Sequence, residues 1–220
     1  MTDHDPSCRT PPRTHTRPQK RRRRITSARL RNWALGYLGR FAATEAHLVV
    51  VLDRKIKRYL DETADATEQE RWRTEARAVA CDMVRMGVVD DRLYAEGRAR
   101  SLHRRGRSGA LIVRELTARG VAQDLAGQVV ADLAADEGGN RTALDLKAAA
   151  ALARRRRIGP YRSAEAVPDD RVRRRELGIL ARAGFGFVLA RTVIEAVDEA
   201  ALFDAFDLDG ENLSGQEDLE

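Results

Sequence analysis

The feature that most constrains this chain is a hydrophobic stripe that occurs twice. Leu125, Val129, Val130 and Leu133 recur as Leu189, Val193, Ile194 and Val197, each pair 64 residues apart. Spacings of four, one and three residues place all four side chains on one face of an α-helix. Leu116 and Gly120 recur at the same offset as Leu180 and Gly184. Such repetition marks a chain built from stacked copies of one supersecondary unit. A second offset, 50 residues, links Leu102, Arg105 and Gly109 to Leu152, Arg155 and Gly159. The 14-residue difference places an insertion between about Pro160 and Arg174. A looser first copy aligns Leu38, Leu48 and Leu52 with Leu102, Ile112 and Leu116.

The reading is therefore all-α, with three tandem three-helix repeats. Their expected spans are 28–90, 91–140 and 141–198, between a basic disordered tail at 1–27 and an acidic one at 199–220. Alanine, arginine, leucine and glutamate dominate, which favours helix, and no sustained strand alternation competes. A single unit of this size has a marginal core, so neighbouring units are expected to support one another. Trp33, Leu35, Tyr37, Leu38 and Phe41 are expected to form the apolar face of the first helix, with Trp33 and Trp72 as core anchors. Thr44 is a candidate cap for the second helix, and Thr67 with Glu70 matches a capping box for the third. Phe185 and Phe187 are expected to be buried at a glycine-rich turn.

Charge is distributed unevenly around a formal net of +6. Arg9 to Arg24 contains no acidic residue, and Asp198 to Glu220 contains no Lys or Arg. Such asymmetry suits an acidic or nucleic-acid partner and a solvating tail. Cys8 and Cys81 are isolated thiols, neither a disulfide framework nor a zinc site, and a reduced cytoplasmic compartment is expected. The apolar run Leu48 to Leu52 is too short to span a bilayer. His47 and His103 stand without a nucleophile at a motif spacing, and no phosphate-cradling loop occurs. The chain is expected not to be an enzyme and to need no cofactor or metal.

The middle repeat carries the most specific pattern. Gly87-Val88-Val89-Asp90-Asp91-Arg92-Leu93-Tyr94-Ala95 reads as a helix end, a turn and a new helix, with Gly87 in the left-handed position and Asp90 or Asp91 as cap. Arg105-Gly106-Arg107-Ser108, then Ile112, Glu115, Leu116, Arg119 and Gly120, reads as a basic turn, a Ser-capped helix and a glycine stop. Together these two segments resemble the central repeat of the RecX family, regulators of the RecA recombinase. The resemblance covers about residues 30–197 and implies an elongated, curved array of three-helix units. It implies a protein that lodges in the groove of the RecA–DNA filament and depresses its ATPase and strand-exchange activities, within DNA repair, recombination and the SOS response. A monomer is expected because the repeats can bury their faces against one another. A helical DNA-binding protein or transcription factor is the alternative.

The candidate contacts to filament or DNA phosphate are arginines in three clusters. Arg98, Arg104, Arg105 and Arg107 surround the basic turn of the second repeat. Arg154, Arg155, Arg156 and Arg157 occupy the equivalent place in the third. Successive helical residues lie about 100° apart, so at most two or three of four in a row face one partner. Arg171, Arg173, Arg174 and Arg175 sit near a helix start, where the helix dipole disfavours cations. Asp169 and Asp170 as caps would offset that; an anionic partner is the other account. Binding to single- and double-stranded DNA is expected mainly through phosphates.

Overall fold

The computed structural model describes residues 25–60, 65–137, 139–162 and 169–204. The tail expectations for 1–24 and 205–220, and residues 163–168 of the insertion, lie outside these residues. The described residues form helices and turns without a strand. In order these are α1 (Ser27–Leu38), α2 (Glu45–Tyr59), α3 (Ala66–Arg85), α4 (Asp91–Arg104), α5 (Gly109–Thr117) and α6 (Gln123–Asp136). Then come α7 (Arg141–Arg156), a 3-10 turn (Gly159–Tyr161), α8 (Asp170–Arg182) and α9 (Phe187–Glu195).

Buried side chains separate into clusters that follow the chain. Leu30, Leu48, Leu52, Ile56, Val79 and Met83 close the core of α1–α3. Leu102, Ile112, Leu116, Val129, Val130 and Leu133 close that of α4–α6. Leu146, Leu152, Leu180, Phe185, Val193 and Ile194 close that of α7–α9. These groups are called the first, second and third units below. Helix α7 serves two cores: Leu144 in its first turn belongs to the second unit and Leu146 to the third.

Several expectations change on contact with the fold. Leu35 and Phe41 are exposed; the inward face of α1 is Leu30 and Ala34, with Trp33 half-buried beside them. A helix of 12 residues packed on two neighbours buries a narrow stripe, and bulk does not decide which residue lies on it. Helix α3 is capped by Asp65, whose side chain accepts from Thr67 N–H, so it starts before the Thr67 capping box. Glu70 instead pairs with Arg73 and Arg77, both at 3.3 Å. Val197 is exposed, because α9 ends at Glu195. The chain turns there, residues 199–204 are helical, and Leu202 enters the third core. Order therefore runs past residue 198, and it starts before 28, since Ile25 is buried and Thr26 caps α1. Phe185 is buried but Phe187 opens α9 on the exposed side.

A similar pair of hydrogen bonds joins successive units. In the first junction the Thr44 hydroxyl donates to the Arg119 carbonyl at 2.7 Å, and the Asp91 carboxylate accepts from Glu45 N–H at 2.8 Å. In the second, Ser108 N–H donates to the Ala183 carbonyl at 3.0 Å, and Asp145 accepts from Gly109 N–H at 2.7 Å. Thr44 and Ser108, like Arg119 and Ala183, are 64 residues apart. Gly120 and Gly184 make the close approach possible, with φ of 88° and 91°. A Cβ at Gly120 would lie 2.5 Å from Ala46 Cβ, and one at Gly184 would lie 2.4 Å from Ser108 Oγ. The glycine helix stops read from sequence are thus also the points where units touch.

Candidate functional site

A cleft of about 840 Å³ opens between the second and third units. Its floor is aliphatic, made by Leu102, Leu152, Ile179 and Ala183, with Gly106 pressed against α7. A Cβ on Gly106 would lie 2.6 Å from Leu152 Cβ. The second unit lines one side with Arg98, Arg105 and Arg107, and the third unit lines the other with Arg155, Arg156, Arg175 and Arg182. Glu115 is the one carboxylate in the lining.

The local pairing leaves this cleft strongly positive. Glu115 lies 3.6 Å from Arg98 and 4.0 Å from Arg107, so its charge is already shared. Arg155 donates to the Arg105 carbonyl at 2.7 Å and Arg107 to the Arg182 carbonyl at 3.4 Å. These bonds tie the units together without neutralising either cation. Among the described residues, no carboxylate or other acceptor engages the side chains of Arg105, Arg156, Arg175 or Arg182. Seven arginines and one glutamate give the lining a formal charge of 7 − 1 = +6. A one-signed cleft over an apolar floor focuses field and concentrates counter-ions.

The structure brings together residues of all three arginine clusters. Arg98, Arg105, Arg107, Arg155, Arg156 and Arg175 line the cleft; Arg104, Arg154, Arg157, Arg171, Arg173 and Arg174 do not. Arg154 points away, paired with Glu199 and 5.3 Å from the Tyr161 ring centre. Arg157 caps α7 in a left-handed conformation, φ 54°. Asp169 caps α8, accepting from Val172 N–H at 2.7 Å, while Arg173 lies 4.0 Å from Asp170 and Arg174 donates to the Asp170 carbonyl. Arg182 was not singled out from sequence. It sits seven residues after Arg175, two helical turns along the same face of α8, and that spacing is the signal that would have found it.

The third unit also holds a buried ion pair. Arg162 grips Glu176 with two parallel hydrogen bonds, one of 2.8 Å, and the glutamate is 5% exposed. It fixes the start of the insertion to the middle of α8, and so holds the helix that presents Arg175 and Arg182. His103 is buried with Nε2 3.1 Å from the Leu144 carbonyl, which makes that nitrogen the donor. Burial lowers the pKa of His47, helped by Arg119 and Arg54. Among the described residues no group of three or more His, Cys, Asp or Glu is placed to hold a metal, and no helix is long and apolar enough to cross a membrane.

Residues 90–130 match the family model described as RecX, second three-helix domain, which spans most of the second unit. A protein of Myxococcus xanthus named "Regulatory protein RecX" is 34% identical over 187 residues, covering 84% of this chain and 95% of that one. One of the same name from Agrobacterium fabrum is 33% identical over 114 residues, 52% of this chain and 55% of its own. No solved structure matches the chain significantly. With α4–α6 matching a RecX three-helix domain and the alignment running through units on both sides of it, the chain belongs to the RecX family of regulatory proteins.

Proposed function

We propose that this protein is a non-catalytic regulator of the RecA recombinase that binds the RecA–DNA filament and lowers its ATPase and strand-exchange activity. Family membership supplies the recombinase as partner. The observation that carries the reading is the arginine cleft at the junction of the second and third units, with four guanidiniums that have no partner among the described residues. Arginine forks match carboxylate and phosphate, the two anions a protein–DNA filament offers. The protein acts as a cytoplasmic monomer, each unit closing its own apolar core.

The test is a titration of the protein against the ATPase of recombinase assembled on single-stranded DNA. Replacing Arg175 and Arg182 with Gln is expected to raise the half-inhibitory concentration about tenfold, the equivalent of one lost charge-assisted hydrogen bond. Unchanged inhibition at unchanged helicity would remove the cleft from the mechanism.

A reading as a base-reading DNA-binding protein finds less support. Helix α5 offers Arg114, Glu115 and Thr117, but Glu115 is held by Arg98 and Arg107, and the Thr117 hydroxyl donates to its own helix at Val113. Base-edge readout needs such side chains free.

A further inference from the structure

We infer that the cleft between the second and third units is a clamp for the sugar–phosphate backbone of one DNA strand, and that the bound strand ties these two units together. The inference deepens the reading above, on which it rests for the presence of DNA.

The donor and acceptor inventory selects the ligand. The free groups in the cleft are guanidiniums, which donate and never accept. Its single carboxylate, Glu115, is occupied, and the carbonyls of Arg105 and Arg182 already accept from Arg155 and Arg107. A peptide laid here would bring a backbone N–H at nearly every residue, and each would lose water without gaining an acceptor. RNA would bring a 2′-hydroxyl donor at every sugar. A DNA backbone brings acceptors alone. The lining includes no aromatic ring, so bases have no stacking platform and recognition is independent of sequence. A cleft of about 840 Å³ holds a ligand of small-molecule size, hence a few linked phosphates of one strand.

The coupling follows from where the cations originate. Arg105 belongs to the second unit, whereas Arg156, Arg175 and Arg182 belong to the third. Without an anion these like charges repel across the junction. Phosphates between them replace the repulsion with bridging hydrogen bonds to both units. Binding should therefore protect the junction itself.

The experiment uses the full chain, without recombinase, and a short abasic single-stranded oligodeoxynucleotide carrying phosphates and no bases. It is expected to bind as tightly as an ordinary strand of equal length, and a poly-glutamate peptide of equal charge at least tenfold more weakly. Arg105→Gln and Arg175→Gln, one from each unit, should each lower the magnitude of the log–log salt slope by about 0.7. Arg171→Gln with Arg173→Gln removes equal charge outside the cleft and should leave abasic-strand binding nearly unchanged. Amide exchange in α7 and α8 should slow when the strand binds wild type, and not in the Arg105→Gln/Arg175→Gln double variant. Equal binding of the peptide, equal loss in the control pair, or unchanged exchange would each overturn the clamp. The ATPase titration separates the two readings. Strand binding without inhibition would sink the regulatory function and leave the clamp. Inhibition without strand binding would do the reverse.

Discussion

The two junctions between units share a scaffold and differ in chemistry. Both seat a hydroxyl residue at a helix start against the glycine-ended helix of the next unit, and both cap that start with a carboxylate from the next unit. At the second junction the surrounding positions are Arg98, Arg105, Arg107 and Glu115. Sixty-four residues earlier the same positions are Ala34, Phe41, Ala43 and Val51. Arg175 and Arg182 likewise correspond to Leu111 and Ala118. Among the described residues α7 touches α4, α5 and α6, while no helix pair across the first junction packs as closely. Repetition thus supplied a way of stacking units, and one of the two copies became a charged cleft. The glycines at which units touch recur at this offset; the charged residues of the cleft do not.

The largest expected effect breaks both junctions alike. Gly120→Ala and Gly184→Ala force an L side chain into the left-handed region, costing roughly 1–2 kcal/mol, and drive a Cβ into the facing helix, which adds about 1–3 kcal/mol. Chemical denaturation should show both losses. Gly127→Ala, where a Cβ meets nothing within 4 Å, is the control and should not destabilise.

A smaller change tells the junctions apart. Thr44→Ala removes both the helix cap on His47 N–H and the bond to the Arg119 carbonyl, so it should cost about 2 kcal/mol. Ser108→Ala removes the cap on Leu111 N–H but keeps the inter-unit bond, which runs through the backbone, and should cost about 1 kcal/mol. Amide exchange at Glu45 should rise in the first variant, whereas exchange at Ser108 should hold in the second. Equal effects would mean that the hydroxyl bond contributes nothing to stacking.

A pH dependence should belong to the second junction. Burial pushes the Asp145 pKa up, against the Gly109 amide and Arg141, which pull it down. The folded chain then holds this proton more tightly than the unfolded chain. Stability from this group is greatest at low pH and declines as pH rises from the ordinary value of 3.8 through the raised one. Asp145→Asn keeps an acceptor for Gly109 and should flatten that part of a melting-temperature profile, by a few tenths to about 1 kcal/mol. An unchanged profile would show that the carboxylate is effectively solvated.

The smallest effect concerns the ends of the chain. Deleting 205–220, which carries carboxylates and no cation, should strengthen binding of bare DNA less than threefold by removing repulsion. The gain should vanish at high salt. A gain confined to proteins with an intact cleft would place the tail's influence at the second junction.

The periodic part of this fold was open to reading along the chain. Val129, Val130, Val193 and Ile194 are buried as their spacing requires, and Thr44, Asp90 and Ser108 cap the helices they precede. These features arise within one or two helical turns, where backbone geometry alone fixes which side chains meet. Asp65 displaced the Thr67 cap because competing caps a residue or two apart differ by less than neighbouring contacts contribute. Val197 left the core because α9 stopped a turn short, and chain geometry further on, not hydrophobicity, brought Leu202 in.

The cleft had no such local signature. Its arginines stood in three stretches, and along the chain Arg155 and Arg156 were indistinguishable from Arg154 and Arg157, as Arg175 was from Arg171. Residues 105 and 175 became neighbours across one cavity only when Gly106 let α7 approach and Gly184 let α8 end on Ser108. The sequence by itself determined the helices, their caps and the fact of repetition, because those depend on spacing. Tertiary structure decided which charges converge, because Coulomb forces act over distances through space that sequence separation does not measure.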